Sequence, residues 1–141
     1  MIFRLLQKTD FQKGFIQLLS QLTNTGDITQ EQFELQFENI CSNKYHYIYV
    51  VEDDNKIIAC ATLLIEPKFI HHCGLIGHIE DVVIDKDCRG KKLGKQMIDF
   101  LTYESEKVGC YKIILDCSDY NTGFYNKCSF QKKGAYMAKY F

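Results

Sequence analysis

Proline is almost missing from this chain of 141 residues, which holds one, Pro67. Collagen-like and proline-rich disordered architectures are thereby excluded. Long apolar runs are missing too. The longest nearly uninterrupted one, Ile57 to Ile65, has nine residues, about half of what a membrane-spanning helix needs, so no membrane span is expected. The opening segment from Met1 to Asp10 has neither the long apolar stretch nor the small-residue cleavage site of a secretory leader, and a cytoplasmic location is expected. Charge of one sign is not in excess either. Seventeen Lys and Arg against 18 Asp and Glu leave a net charge of −1, which removes any global pull toward nucleic acid or a membrane surface. Paired cysteine motifs are lacking as well. The seven cysteines, at 41, 60, 73, 88, 110, 117 and 128, are odd in number and include no Cys-x-x-Cys spacing. A disulfide framework and a zinc ribbon are both disfavoured. The expectation is reduced thiols, several of them buried as small hydrophobes, and no metal site.

What is present is globular. Hydrophobic residues make up 46% and charged ones 25%, close to the average of soluble domains. The length suits one domain, and roughly 68% of the unfolded surface can be buried at this size. Ile2 to Gln7 reads as an opening strand. Asp10 is expected to cap a helix with Phe11, Phe15, Leu18, Leu19 and Leu22 on one face. Asn24-Thr25-Gly26-Asp27 breaks it. Thr29-Gln-Glu-Gln32 is a capping box that opens a second helix, with Phe33, Phe37 and Ile40 inward. Strands follow over Tyr45 to Val51, Ile57 to Ile65 and Gly77 to Asp85, the first two joined by the turn Asp53-Asp54-Asn55-Lys56. Leu93 to Val108 is predicted helical and ends at Gly109. A strand over Tyr111 to Asp116, a short helix over Asn121 to Lys127 and one or two strands over Phe130 to Phe141 complete the chain. The order β-αα-βββ-α-β-α-β argues a mixed α/β sheet.

Chemistry concentrates in four places. Lys86 to Lys95 carries five basic residues and one acidic residue, Asp87, so this stretch is +4 and the remainder −5. Within it, Arg89-Gly90-Lys91-Lys92-Leu93-Gly94 joins a strand to a helix. A glycine-bearing loop at a helix start offers unpaired N–H groups and a positive dipole end to phosphate. A solvated basic turn has the same charge pattern. It is neither a Walker A loop nor Gly-x-Gly-x-x-Gly. Second, Glu80 and Asp81 interrupt the apolar strand His78-Ile79-Glu80-Asp81-Val82-Val83-Ile84. Strict alternation would bury one of them. A bulge would bring both to a cleft, whereas an edge strand with one wet face would also accommodate them. Third, Asp116 ends an apolar strand, where α/β sheets face their ligand crevice. Fourth, Tyr125 lies one turn beyond Asn121, and a phenol can donate a proton to a leaving group. Cys117 has no histidine partner in its own motif, which disfavours a thiol nucleophile.

The segment from Gly77 to Phe130 resembles the GNAT superfamily of acyl-CoA N-acyltransferases. Its Arg-Gly-Lys-Lys-Leu-Gly run is similar to that superfamily's pyrophosphate loop. More narrowly, His78 to Asp85, Gly109-Cys-Tyr-Lys-Ile-Ile-Leu-Asp-Cys117, Phe124-Tyr-Asn-Lys-Cys128, Glu66-Pro-Lys-Phe-Ile-His71 and Gln21-Leu-Thr-Asn-Thr-Gly26 are similar to the glucosamine 6-phosphate N-acetyltransferase family. The resemblance covers nearly the whole chain. It implies one GNAT domain over 1–141, with a mostly antiparallel mixed sheet flanked by helices. It implies acetyl-CoA as co-substrate, and acetyl transfer to the amine of D-glucosamine 6-phosphate in UDP-N-acetylglucosamine biosynthesis.

Site roles follow residue by residue from that resemblance. Backbone groups of Val82, Val83 and Ile84 would pair with the pantetheine arm. Arg89, Gly90, Lys91, Lys92, Leu93 and Gly94 would cradle the pyrophosphate. Asn121, Tyr125 and Lys127 would line the CoA side, with Tyr125 near the sulfur. Thr23, Lys68, Phe69, Ile70, His71, Glu80, Asp81 and Asp116 would hold the amino-sugar phosphate. Glu80, Asp81, Asp116 and Tyr125 are the candidate catalytic residues. Family members are homodimers that share C-terminal residues between sites. Lys139 or Tyr140 here stands in for an arginine common near the family's C-terminus. Lys92 and Ser129 stand where relatives commonly have glycine. Another amine acceptor, such as a protein lysine or a polyamine, and a CoA-binding domain without chemistry are the alternatives. Lys68 and His71 suit a phosphate better than a polyamine.

Overall fold

Two long, largely apolar strands build the centre of the molecule, which a computed structural model describes over residues 1–141. The strands are β1 (Phe3–Leu5), β2 (His46–Asp53), β3 (Lys56–Pro67), β4 (Leu75–Ile84) and β5 (Cys110–Ile114). They lie side by side in chain order in one sheet. The first three pairings are antiparallel, and β4 with β5 is parallel. A parallel pair needs a crossover. Here α4 (Leu93–Val108), the next helix after the single turn α3 (Ile70–Cys73), supplies it, ended by Gly109 at φ 99, whose N–H bonds back to the carbonyls of Ser105 and Glu106.

Both faces of the sheet are covered. Leu93, Met97 and Leu101, each four residues apart, press with Ile98 onto Ala59, Ala61, Leu63 and Ile79. On the opposite face, Phe15 and Leu18 of α1 (Phe15–Leu19) and Phe33 of α2 (Gln30–Cys41) cover Val50, Ile57, Cys60 and Val83. That is why β3 reads as a continuous apolar run. Every residue from Ile57 to Leu63 is buried, including those that a one-faced sheet would leave wet. The capping box of α2 forms as expected. Thr29 Oγ1 accepts from the Gln32 N–H at 3.2 Å, and Gln32 Oε1 accepts from the Thr29 N–H at 2.9 Å.

Two expectations fail. Asp10 caps no helix. It sits in a 3-10 turn (Lys8–Phe11) and is fully buried, its carboxylate gripped by both Arg4 guanidinium nitrogens at 2.8 Å and by the Gln7 N–H. The helix proper runs only from Phe15, after Gly14 at φ 81, to Leu19, so Phe11 and Leu22 lie outside it and Leu22 is exposed. The half-buried arginine of β1 needs a counter-ion, and that need outweighs the local capping preference. The expected strands over Phe130 to Phe141 are also absent, and residues 131–141 are exposed throughout. A strand requires a pairing partner, and this tail pairs with none of the five strands of its own chain.

Candidate active site

A bulge in β4 resolves the conflict posed by two neighbouring carboxylates. Cys60 of β3 pairs with Val83, but Thr62 pairs with Glu80, so Ala61 alone faces Asp81 and Val82. Asp81 takes φ 49 to make this possible. The extra residue lets Asp81 reach solvent while Glu80 stays half-buried beside it. On its other side, β4 pairs with β5 only from Leu75/Cys110 to His78/Ile114. Beyond that point the strands splay, and the edge of β4 from Ile79 to Ile84 carries no ladder partner. Val82, Val83 and Ile84 therefore present backbone along an open seam. The splay also ends β5 two residues earlier than expected, which leaves Asp116 on a loop at the mouth of the seam.

Electrostatics gather the candidate groups there. Burial pushes the Glu80 carboxyl above the usual carboxylate range, and the charges of Asp116 and Asp81 push it further. Tyr125, on α5 (Thr122–Asn126), is pushed up to about 12, chiefly by burial and then by Cys117, Cys128 and Asp116. Its ring meets Phe124 edge-on at 4.9 Å and Phe130 at 6.0 Å. Asp116 thus neighbours both Glu80 and Tyr125. This arrangement can orient an amine, accept its proton and place a phenol near a leaving group.

The basic loop opens at the far end of the seam. Asp85 is buried at the end of β4. It accepts from Lys56 Nζ at 2.7 Å and from the Asp87 N–H at 3.0 Å. The Lys86 N–H bonds Gln21 Oε1 at 2.9 Å, and Arg89 Nε bonds the Ile84 carbonyl at 3.1 Å. Gly90 has φ 80. Lys92, the residue before α4, has φ 62 and makes no side-chain cap. It keeps the left-handed backbone that glycine would take, as does Ser129 at φ 68. The first helical ring closes from the Gln96 N–H to the Lys92 carbonyl at 3.0 Å. The N–H groups of Leu93, Gly94 and Lys95 therefore have no intrahelical acceptor and lie at the positive end of a 16-residue helix. A Cβ on Gly94 would lie 3.3 Å from Phe124 Cζ, so α4 and α5 meet closely at this mouth. Asn121 and Lys127 bracket α5, both exposed.

The acceptor side is less open than expected. Lys68 Nζ already lies 3.1 Å from Glu66 Oε1, which His78 Nε2 also meets at 3.0 Å. These two partners hold the Glu66 carboxyl below its ordinary range. Phe69 and Ile70 project into solvent. His71 stacks on Tyr111 with ring centroids 4.1 Å apart. Thr23 is exposed two residues after Gln21. Lys139 and Tyr140 are not brought to the seam. They stand on the exposed tail, with Lys139 Nζ 6.0 Å from the Phe141 ring. No group of three or more His, Cys, Asp or Glu side chains is placed to hold a metal ion. Sequence reasoning missed the Asp85–Lys56–Gln21 brace, the Glu66–His78 pair and Tyr111. All are long-range contacts; the bond from the Asp87 N–H to Asp85, two residues apart, is the local one that an Asx-turn reading could have found.

A bulged strand splayed from its parallel neighbour, facing an uncapped helix start, defines the class of acyl-CoA-dependent N-acyltransferases. Residues 13–130 match the model of the acetyltransferase (GNAT) family. The glucosamine 6-phosphate N-acetyltransferase of Arabidopsis thaliana is 49% identical over 98% of this chain and 95% of its own length. Its Dictyostelium discoideum counterpart is 47% identical over 98% and 89%. The crystal structure of the Arabidopsis thaliana enzyme superposes with a TM-score of 0.96 at 48% identity, covering 99% of this chain and 97% of that one. The chain belongs to the acetyltransferase (GNAT) family and, within it, to the glucosamine 6-phosphate N-acetyltransferases.

Proposed function

We propose that this protein transfers the acetyl group of acetyl-CoA to the 2-amine of D-glucosamine 6-phosphate, releasing CoA and N-acetyl-D-glucosamine 6-phosphate, a step toward UDP-N-acetylglucosamine. The seam between β4 and β5 carries the reading, because Glu80, Asp81, Asp116 and Tyr125 converge on it. Both substrates occupy it together. The edge of β4 over Val82 to Ile84, free of a strand on its β5 side, binds the pantetheine arm as an added strand would. Arg89 to Gly94 and the free N–H groups at the start of α4 take the pyrophosphate, flanked by Asn121 and Lys127. Thr23, Lys68 and His71 face the sugar phosphate, with Phe69 and Ile70 shaping the turn between them.

The amine must lose a proton before it attacks the thioester carbonyl. Glu80, whose affinity for a proton is raised by burial and by its carboxylate neighbours, accepts it directly or through water, while Asp81 and Asp116 orient the amine. A nitrogen–carbon bond forms, and a β4 N–H near Val82 or Val83 stabilises the oxyanion. The carbon–sulfur bond then breaks, and Tyr125 meets the departing thiolate.

The span 1–141 acts as one domain. The pathway step and the seven free thiols fit a cytoplasmic setting. We also infer a homodimer. The tail exposes Tyr136, Met137, Tyr140 and Phe141 at 68 to 112% of their reference areas. A second copy would cover them and bring Lys139 or Tyr140 to its neighbour's sugar phosphate.

Thiol release from acetyl-CoA, measured with a panel of amino sugars with and without a 6-phosphate, tests the assignment. Loss of a charge-assisted contact costs about 1.5–3 kcal/mol, so glucosamine should fall roughly ten- to a hundredfold below its 6-phosphate in kcat/KM. Equal values for the two sugars would sink it.

A further inference from the structure

The turn after Lys68 has a backbone that its sequence does not favour. His71, His72 and Cys73 are three successive non-glycine residues with φ of 52, 55 and 57. Left-handed backbone is unfavourable for each of them and survives only where the surroundings over-determine it. Two kinds of contact do so here. The Cys73 and Gly74 N–H groups bond the carbonyls of Phe69 and Ile70, both at 3.1 Å, and the Lys68 N–H closes the loop on the Gly74 carbonyl at 2.8 Å. The second kind is a single side chain. Tyr111, on β5, stacks its ring on His71 at 4.1 Å and 27°. The same ring fills the space beside Gly74 so completely that a Cβ there would lie 2.7 Å from Tyr111 Cδ1. Gly74 itself has φ −72, which any residue adopts. Glycine is needed at this position because of what surrounds it, the tyrosine ring at 2.7 Å and the His71 carbonyl oxygen at 3.0 Å, and not because of its own φ.

We propose that Tyr111 is a positioning residue. It holds the 68–74 turn in the shape that presents Lys68 and His71, and so sets affinity for the acceptor's phosphate without taking part in acetyl transfer. The proposal rests on the sugar-phosphate reading given above. Without the ring, the turn relaxes among other conformers. Apparent affinity then falls in proportion to the fraction that remains competent. Once the sugar is saturating, the turn is reordered and turnover is restored, so the loss appears in KM and not in kcat. The cofactor loop lies beyond the far end of β4 and should not respond.

Steady-state kinetics of the full chain with acetyl-CoA and glucosamine 6-phosphate test this, alongside melting curves. Tyr111→Leu removes the stack. Gly74→Ala crowds both the tyrosine ring and the His71 carbonyl, disturbing the same stack from the other side, and serves if the first variant folds poorly. Both should raise the KM for glucosamine 6-phosphate about three- to tenfold, the range expected for one aromatic pair. The acetyl-CoA KM and kcat should stay within about twofold. Tyr111→Phe, which keeps the ring, should restore the wild-type KM. An unchanged sugar KM in Tyr111→Leu overturns the proposal. So does a parallel rise in both KM values with a lowered melting temperature, which would make Tyr111 ordinary packing. A wild-type protein that does not acetylate glucosamine 6-phosphate refutes the functional reading instead, and the positioning role with it.

Discussion

Replacing Tyr125 by phenylalanine tests what the phenol does for the leaving sulfur, and the structure sets the size of the answer. Burial and the neighbouring Cys117, Cys128 and Asp116 push this phenol up to about 12. An ordinary alkyl thiol ionises near 8.5. Full proton transfer from the phenol to a departing thiolate is therefore uphill by about 3.5 pH units, or about 5 kcal/mol. Tyr125 should instead donate a hydrogen bond to the sulfur as negative charge develops, and the proton should reach the thiolate from solvent. A hydrogen bond to a charged group contributes about 1.5–3 kcal/mol. The expected loss in kcat is thus roughly ten- to a hundredfold, not the 10⁴-fold ceiling of general-acid catalysis. Phenylalanine keeps the ring contacts with Phe124 and Phe130, so CoA affinity and melting temperature should hardly move. Because the phenol stays protonated up to about 12, it should contribute no alkaline limb to the pH profile below pH ~11. The assay is kcat and KM for both substrates in wild type and Tyr125→Phe, with single-turnover rates to establish that chemistry is observed. A wild-type single-turnover rate in the variant would remove Tyr125 from the mechanism. A loss beyond 10⁴-fold would refute the hydrogen-bond argument.

Two further predictions concern the carboxylates and the loop. Burial, then Asp116 and Asp81, make folded Glu80 hold its proton more tightly than the unfolded chain does. Its ionisation therefore costs stability as pH rises from the unfolded value through the folded one. Glu80→Gln should raise the melting temperature at pH 7 while lowering kcat/KM about 10²-fold, and Asp116→Asn should move the acid limb of the wild-type profile to lower pH. An unchanged melting temperature in the first, or an acid limb that moves up in the second, would contradict the electrostatic picture. Gly94→Val would drive a β-branched side chain toward Phe124, 3.3 Å from the added Cβ, and Ile84, 3.7 Å away. It should raise the acetyl-CoA KM about tenfold through overpacking at the helix mouth, leaving the sugar KM near wild type. Calorimetric titration of CoA checks it, and unchanged affinity in a folded variant would reduce the loop to a solvated turn.

Where a structural decision depends on a few neighbouring residues, it was legible in the chain. The four-residue spacing of Leu93, Met97 and Leu101 placed α4 to the residue, and Gly109 ended it. Thr29 and Gln32 form their reciprocal caps. The clash between strand alternation and two adjacent carboxylates flagged the place, with a bulge and a wet edge strand both able to resolve it, and Asp81 makes the bulge. Capping, periodicity and pleat act within one or two turns, so the information is local. Tertiary structure decided the rest. Asp10 is a buried counter-ion of Arg4 because β1 folds over it, although its local sequence suits a cap. Lys92 and Ser129 adopt glycine's left-handed backbone against their own preference, the first at the residue before α4. The tail carries residues that suit a strand, yet it pairs with no strand of the same chain and stays exposed. The seam exists only because β5 leaves β4 after Ile114, and the tyrosine that orders the acceptor turn arrives from a strand some 40 residues later in the chain. Such contacts join residues far apart in sequence. They form only once the chain has closed on itself, and no local pattern of residues specifies them.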